Sequence, residues 1–172
     1  MNNKIFYPDI LKKILIKKIK NKKVVLCHGV FDLLHFGHIK HFEEAKNYGD
    51  ILVVSITPDK FVNKGPSRPM FNEDIRLKSL AALEIVDYVT INDSVSAVNI
   101  IKKLKPNFYC KGPDYKDHKK DVTKNINKEK EAIKSCKGKI VYTSDVTFSS
   151  SNLINKYGNL YSAQQRSAVS KI

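Results

Sequence analysis

Five short apolar runs recur along the chain, and longer stretches with a helical period of apolar residues separate them. The runs predict β-strands at residues 24–27, 51–56, 88–91, 107–110 and 139–142. The stretches between them predict helices near residues 37–47, 73–84, 95–104 and 126–137. Continuous apolar strands that alternate with helices are typical of a parallel sheet covered on both faces. The pattern therefore predicts an α/β fold, a Rossmann-like three-layer sandwich with a five-stranded parallel sheet.

An amphipathic stretch at residues 8–20 precedes the first strand and predicts a further helix, with Asp9 near its start and lysines near its end. We interpret it as a helix that docks on the domain. A membrane-surface helix is the alternative, which the lack of Trp and Phe on its apolar side disfavours. The expected organisation is an N-terminal helix in 1–22, a main domain in 23–158 and a polar tail in 159–172.

The net charge of +14 would suit a nucleic-acid-binding protein, because clustered cations release the counterions of a phosphate backbone. However, the only arginines are Arg68, Arg76 and Arg166, and the lysines are spread over predicted helix surfaces. We therefore expect no nucleic-acid partner. The charge suits a small polyanionic substrate such as a triphosphate, which it would attract by electrostatic steering.

The apolar runs are far shorter than the roughly 20 residues that span a bilayer, and the lysine-rich N-terminus lacks the apolar core of a signal peptide. A cytoplasmic location without stable membrane insertion is expected. The cysteines, Cys27, Cys110 and Cys136, form no CxxC pair. Their spacing indicates neither a zinc site nor a disulfide framework, so no protein metal site is expected.

The loop after the first strand holds the strongest candidate chemistry. Ligands of parallel sheets bind beyond the carboxyl ends of the strands, which are followed here by residues 28–38, 57–71, 111–124 and 143–151. In the first of these loops, His35 and His38 are three residues apart at a predicted helix start, where free N–H groups favour a phosphate. Metal ligation and simple packing are the alternatives, although no third ligand stands at a recognisable spacing.

Several motifs in order resemble one known family. They are Gly29-Val30-Phe31-Asp32 followed by His35-Phe36-Gly37-His38, Ala45-Lys46-Asn47-Tyr48-Gly49-Asp50, Lys64-Gly65-Pro66-Ser67-Arg68-Pro69 with Glu73-Asp74-Ile75-Arg76, Lys111-Gly112-Pro113-Asp114-Tyr115, and Phe148-Ser149-Ser150-Ser151. Together they resemble the HxGH signature and companion motifs of the cytidylyltransferase-like nucleotidyltransferase superfamily, over about residues 24–156. Within it, the heptose-phosphate adenylyltransferases are most similar, and the glycerol-3-phosphate cytidylyltransferases come next.

The resemblance implies an enzyme that transfers an NMP group from ATP or CTP to a phosphorylated sugar or polyol and releases pyrophosphate. Glycerol-phosphate cytidylyltransferases carry an arginine in an RTxGIS motif where this chain has Ser144, which favours the adenylyltransferases without settling the base. A cytidylyltransferase that acts on glycerol phosphate or another small alcohol phosphate stays open. So does a lysine-rich polyanion-binding module without catalysis. An aminoacyl-tRNA synthetase fragment is disfavoured by the missing KMSKS-like loop and the small size.

The resemblance also implies roles for individual residues. The catalytic residues are His35, His38 and Lys46; the nucleotide-binding residues are Gly29, Val30, Phe31, Asp32, Gly37, Arg76, Lys111, Asp114, Tyr115, Ser149, Ser150 and Ser151; Lys64 and Arg68 bind the phosphorylated acceptor. Structural alternatives are a solvated lysine for Lys46, an Asx-turn for Asp32, a surface ion pair for Arg76 and a helix cap for the serines.

The partners implied are therefore the nucleoside triphosphate and the phosphorylated acceptor. Mg²⁺ is expected on the triphosphate, where it neutralises the leaving group. A homodimer and a sugar-kinase partner or fused domain are left open.

Overall fold

The computed structural model describes residues 4–18, 21–63, 68–115 and 125–144. The strands are β1 (Val24–Gly29), β2 (Ile51–Ile56), β3 (Tyr88–Ile91), β4 (Phe108–Lys111) and β5 (Lys139–Tyr142). The helices are α1 (Pro8–Lys18), α2 (Phe36–Lys46), α3 (Glu73–Ala81), α4 (Val98–Leu104) and α5 (Ile126–Ser135). Short 3₁₀ turns follow β2 and β4 at Asp59–Phe61 and Pro113–Tyr115.

All strand pairs are parallel, and the strands form one sheet in the order β3-β2-β1-β4-β5. The chain thus runs outward from β1 to one edge and then returns to build the other half from β4. The order reverses between β1 and β4, which is where parallel sheets bind ligands beyond the carboxyl ends of their strands. The predicted Rossmann-like fold with its five-stranded parallel sheet is confirmed.

Helices cover both faces of the sheet, because the interior strands bury side chains on both sides: all six residues of β2 and the first four of β1 are buried. One core cluster lies under α2 and α3, and it includes Val25, Phe31, Phe42, Ala45, Leu52, Val54, Leu77 and Leu80. The other lies under α1, α4 and α5, and it includes Leu11, Leu15, Leu26, Val53, Ile100, Ile101, Tyr109 and Ile133. The result is a three-layer sandwich whose interior is closed on both sides of the sheet.

The predicted elements lie close to the observed ones, and the start of α4 shows why a boundary moves. The helix was expected from residue 95 and begins at Val98. The side-chain amide of Asn92 donates to the carbonyl oxygens of Ser94 and Ser96, each at 2.8 Å, and so holds this segment in a turn. Periodicity does not reveal such a side-chain contact.

The N-terminal helix α1 packs Leu11 and Leu15 into the core under α4 and α5. Just before it, Ile5 forms an isolated parallel bridge with Val89 of β3. The helix therefore docks on the domain, as its sequence predicts. In the ranges that the structure describes, no helix has the length and apolar character needed to cross a membrane. Residues 19–20 of the predicted helix and the predicted tail at 159–172 lie outside these ranges.

Candidate active site

The turn between β1 and α2 is built around Phe31, whose φ of 49° lies in the left-handed region. Its ring folds back over Gly29, where a Cβ atom would come within 3.1 Å of the ring carbons. The same ring packs against Phe42 at 5.2 Å and makes a T-shaped contact with His38 at 5.3 Å, both measured between ring centroids. The Phe31 side chain thus belongs to the core and supports His38, so only its backbone remains available to a nucleotide.

His35 and His38 lie together at the start of α2. Their ring centroids are 3.8 Å apart with an interplanar angle of 24°, which is a stacked arrangement. His35 is the N-cap residue in extended conformation, and its carbonyl accepts the N–H of His38 at 2.9 Å. Gly37 lies between them in the first turn of the helix. The pair therefore stands where the positive end of α2 opens over the carboxyl end of β1.

Burial sets the protonation of His35. Both ring nitrogens of His35 and Nδ1 of His38 are buried. Loss of solvation lowers the pKa of His35 below its ordinary value, so the imidazole is neutral near pH 7. A neutral ring still donates one N–H, and a phosphate placed beside it would favour the protonated form. The ring of His35 is thus suited to respond to an anion rather than to carry a permanent charge.

Asp32 and Arg68 form a buried ion pair beside the turn. Nε of Arg68 lies 2.7 Å from Oδ2 of Asp32, and the side chains are 9% and 1% exposed. Oδ1 of Asp32 also accepts the N–H of Phe71 at 3.0 Å. Burial raises the pKa of Asp32, but the N–H groups of Phe71 and Met70 and the Arg68 guanidinium outweigh it and keep that pKa below its usual value. Asp32 therefore orders the loop through a buried carboxylate.

The Arg68 guanidinium has donor groups that the ion pair with Asp32 does not use. Its Nη2 is buried and has no hydrogen-bond partner among residues 4–18, 21–63, 68–115 and 125–144. A buried guanidinium donor without a partner is costly unless a ligand supplies an acceptor. The geometry thus leaves room for the predicted contact between Arg68 and an anion.

Arg76 has a different environment from the predicted one. Its residue is 1% exposed, and its guanidinium donates to the carbonyl oxygens of Phe71, Val30 and Thr57 at 3.0, 2.5 and 2.9 Å. Nη2 also pairs with Asp59 at 2.6 Å. These contacts do not support the predicted direct contact of Arg76 with the triphosphate, because the guanidinium is occupied by the protein. The alternative of a surface ion pair does not apply either, because the Arg76 side chain is buried. Arg76 instead joins the loops after β1 and β2 to α3.

Lys46 lies at the wrong end of α2 for the catalytic role that was expected. It is the last residue of the helix, eight residues beyond His38, or roughly 12 Å along the axis. Its ammonium group donates to the carbonyl of Asp50 at 2.8 Å and pairs with the carboxylate of Asp87. Asp87 also accepts the N–H of Leu52 at the start of β2. Lys46 is thus a structural residue at the amino edge of the sheet, and the catalytic prediction for it is corrected.

Lys111 ends β4, directly across the switch point from β1. Its side chain is 7% exposed, with Nζ 3.6 Å from a carboxylate oxygen of Glu129 and 3.7 Å from the ring centroid of Tyr115. Glu129 also accepts the hydroxyl of Tyr109 at 2.9 Å and the N–H of Ala97 at 3.0 Å. Burial and then Glu129 raise the pKa of Tyr109, which therefore keeps its proton. This buried network fixes Lys111 and Tyr115 beside the crevice, and Asp114 lies in the same 3₁₀ turn.

Sequence reasoning missed Glu129, because it stands in a run of alternating charges that suggests a solvated helix face. The available signal was its spacing from Ile126 and Ile133, which are three residues before and four after it. Both are buried, and Glu129 shares their face.

His28 was also missed, although it stands at the carboxyl end of β1. Its Nδ1 lies 3.2 Å from the hydroxyl of Ser55, and its Nε2 lies 3.4 Å from the hydroxyl of Thr57. Burial and then the charge of Lys111 lower its pKa to about 4, so it is neutral at ordinary pH. Its position beside the strand end could have suggested a role in shaping the floor of the crevice.

The fourth predicted loop is described only at its start. Glu44 of α2 accepts the N–H of Ser144 at 2.9 Å and thereby ties the end of β5 to the helix. The predicted phosphate-binding residues Ser149, Ser150 and Ser151 lie outside the described residues, as does Lys64. Their roles remain predictions.

Comparison with known proteins agrees with this architecture. The chain is 43% identical over 129 residues to the bifunctional protein HldE of Aliarcobacter butzleri, a match that covers 73% of this chain and 27% of that protein. The corresponding protein of Campylobacter fetus is 42% identical over 137 residues, covering 78% and 28%. The chain thus spans about a quarter of the length of these curated relatives. The resemblance to the heptose-phosphate enzymes is confirmed, and the comparisons do not favour the glycerol-phosphate alternative.

Solved structures show the same fold. A lipopolysaccharide core biosynthesis protein from Thermoplasma volcanium superposes with a TM-score of 0.61 at 27% identity, covering 74% of this chain and all of that one. Pantoate-beta-alanine ligase from Francisella tularensis superposes with a TM-score of 0.60 at 19% identity, covering 92% and 73%. At that identity the second likeness concerns the fold alone. A model of the cytidylyltransferase-like family matches residues 26–157, and the chain therefore belongs to the cytidylyltransferase-like family.

Proposed function

We propose that this chain transfers an NMP group from a nucleoside triphosphate, with ATP as the favoured donor, to a phosphorylated sugar of the heptose class. Pyrophosphate and a nucleotide-activated sugar are the products. The observation that carries the proposal is the stacked pair of His35 and His38 at the start of α2, beside the point where the strand order reverses. The family match and the likeness to HldE proteins support it. A bacterial surface glycan is the expected destination.

The reaction is a nucleophilic substitution at the α-phosphorus of the triphosphate. An oxygen of the acceptor phosphate attacks the α-phosphorus in line and forms a new P–O bond. The bond from that phosphorus to the bridging oxygen breaks, and pyrophosphate leaves with the electron pair. The nucleophile is already ionised near neutral pH, so the protein need not supply a base. Its work is to position the two anions and to stabilise the charge that moves toward the leaving group.

His35 and His38 are the proposed donors to the α- and β-phosphate oxygens. Stacking fixes their relative orientation, and the ring of Phe31 packs against His38 in a T-shaped contact. The positive end of the α2 dipole acts at the same point. As negative charge accumulates on the leaving group, hydrogen bonds from the two rings strengthen. This differential stabilisation lowers the barrier.

The acceptor phosphate is the proposed partner of Arg68. Asp32 holds Nε of this guanidinium, and the buried Nη2 is left for an anionic oxygen. The loop that carries Arg68 follows β2 and lies against the turn that carries Asp32. An acceptor held there would approach the α-phosphate from the β2 side. Lys64, from the same loop, stays a predicted second contact.

The base is proposed to lie on the other side of the switch point, against the end of β4. Glu129 restrains Lys111, and Lys111 lies over the ring of Tyr115. In the sequence between these two residues, a Cβ atom added to Gly112 would meet no atom of the described residues within 4 Å. Backbone groups of this segment would then contact the edge of the base, and Asp114 remains a predicted contact.

Magnesium is proposed to arrive with the triphosphate. Among the described residues, the one cluster with metal-binding spacing offers two thiols and an imidazole, and such donors do not suit a hard ion. The carboxylate of Asp32 is occupied by Arg68. The residues present therefore fit an ion that is held mainly by phosphate oxygens, and it would supply charge neutralisation there.

The relatives are named bifunctional proteins, which indicates a second activity in their longer chains, of which this chain matches about a quarter. We propose that a sugar kinase, either fused or separate, produces the phosphorylated acceptor. A homodimer and a cytoplasmic location remain predictions.

A matrix of ATP and CTP against phosphorylated acceptors tests the proposed function. Pyrophosphate release should require a phosphorylated sugar, should be fastest with a heptose phosphate and ATP, and should vanish with the unphosphorylated sugar. Fastest turnover with CTP and glycerol phosphate would overturn the substrate assignment. Binding of polyanions that weakens steeply with salt, without turnover for any pair, would instead establish a non-catalytic binding module.

A further inference from the structure

Two cysteines and a histidine converge under α2, apart from the histidine pair of the crevice. Cys27 of β1 and Cys110 of β4 are register partners on adjacent strands, so their side chains share one face of the sheet. His41 of α2 lies over that face. One ligand atom from each residue lies within 4.8 Å of the other two. Both thiols are buried, at 0% and 1% exposure, and His41 is partly buried.

The donor set fits a soft divalent metal ion. Zinc binds thiolates at about 2.3 Å and imidazole at about 2.0–2.1 Å, so the donors around a tetrahedral ion are about 3.5–3.8 Å apart. Side-chain movements of roughly 1 Å would bring these donors to that spacing. Two thiolates also balance the charge of one divalent ion, and a loaded site would therefore bury no net charge. Harder ions prefer oxygen donors.

The histidine of the cluster is already oriented. Its Nδ1 lies 3.1 Å from the hydroxyl of Thr143, which is fully buried after β5. Metal-binding histidines commonly use one ring nitrogen for such an orienting hydrogen bond and the other for the metal.

We propose that Cys27, Cys110 and His41 form a Zn²⁺ site that ties β1, β4 and α2 together beneath the crevice. The site would clamp the two strands whose carboxyl ends flank the switch point. No motif in the sequence indicates it, because its ligands come from three separate elements and become neighbours only through the sheet order and the packing of α2. The proposal does not depend on the nucleotidyl-transfer activity.

Metal binding to the purified full chain tests the proposal. Wild-type protein kept reduced and dialysed against Zn²⁺ should retain about one ion per chain, and Co²⁺ should give a thiolate-to-metal charge-transfer band. Cys27→Ser, Cys110→Ser and His41→Gln should each lose at least tenfold in affinity, as measured against a competing chelator. Cys136→Ser is the matched control, since Cys136 lies outside the cluster, and it should bind like wild type. Equal binding by Cys27→Ser and wild type would overturn the proposal.

Thiol alkylation provides a test that needs no variant to fold. Mass spectrometry would follow labelling of each cysteine in the wild-type chain in dilute denaturant, with and without Zn²⁺. The ion should slow labelling of Cys27 and Cys110 at least tenfold and leave Cys136 unchanged. Equal labelling of Cys27 and Cys110 in both samples would contradict the site, and so would protection of Cys136 alone.

Discussion

The two ends of α2 carry motifs that look equally functional in the sequence, yet the structure places them at opposite edges of the sheet with different contacts. The first turn holds His35 and His38 over the carboxyl ends of the strands, where a parallel sheet opens a crevice. The last turn holds Lys46, which closes the opposite edge by pairing with Asp87. A helix of this length separates the two by roughly 12 Å. Our proposal therefore assigns the chemistry to the carboxyl edge of the sheet, whereas Lys46 stabilises the amino edge.

Two glycines, one at each edge of the sheet, also have different structural roles. At the first edge, Gly29 makes room for the ring of Phe31, which supports the histidine pair. At the second edge, Gly49 lets the chain pass against the backbone of Lys23 before β2 begins. A family motif can thus contain residues that the fold requires as well as residues that the reaction requires. The edge of the sheet at which a residue lies indicates which kind it is.

Replacing His38 should produce the largest effect of all. His38→Ala removes a proposed donor to the phosphates, and turnover should fall on the order of 100–1000-fold while the melting temperature changes little. Pyrophosphate release and thermal unfolding measure the two quantities. Lys46→Ala, at the other end of the same helix, is the matched control and should keep turnover within about twofold once folded protein is counted. An unfolded His38→Ala protein would show that the ring is structural.

Gly49→Ala should affect stability at the amino edge. A Cβ atom at this position would lie 2.7 Å from the carbonyl oxygen of Lys23 and 2.8 Å from a methyl group of Val25. Backbone must shift to accept it, and the free energy of unfolding should fall by about 1–3 kcal/mol. Chemical denaturation measures this change. Gly112→Ala has open space at its Cβ and should cost far less. Equal losses for the two variants would remove the steric explanation.

Arg68→Lys should separate acceptor binding from nucleotide binding. A lysine keeps the charge but cannot pair with Asp32 and also present a second planar donor. The KM for the phosphorylated acceptor should rise about tenfold, while the KM for ATP stays close to that of wild type. Steady-state kinetics with each substrate varied in turn provides the measurement. If the KM for ATP rises instead, Arg68 contacts the triphosphate, and the proposed place of the acceptor is wrong.

The smallest effect is expected for Lys46→Ala. Its ion pair with Asp87 is partly exposed, so solvent screening should limit the loss of unfolding free energy to about 1 kcal/mol or less. Urea denaturation compares it with Lys40→Ala, which removes an exposed pair with Glu43 on the same helix. Lys40→Ala should lose still less. A large loss of turnover in Lys46→Ala with little loss of stability would restore the catalytic role.

Periodicity predicted nearly every strand and helix, because alternating apolar strands and amphipathic helices leave a direct trace in sequence. The spacing of His35 and His38 likewise predicted that both rings can face one point, and the structure places the two rings in a stack. The error at Lys46 was avoidable, since eight helical residues span about 12 Å. The surroundings of Arg76 could not be predicted, because its partners Val30 and Thr57 are distant in sequence and offer only backbone carbonyl groups. No sequence pattern predicts which backbone carbonyl groups a buried arginine will contact.

The most direct test of the central claim is a crystal structure of the chain with a non-hydrolysable ATP analogue. Our account predicts phosphate oxygens within hydrogen-bonding distance of the rings of His35 and His38 and of the first N–H groups of α2. It also predicts the base against the end of β4. A nucleotide bound at the amino edge of the sheet, or histidine rings turned away from the phosphates, would contradict the account.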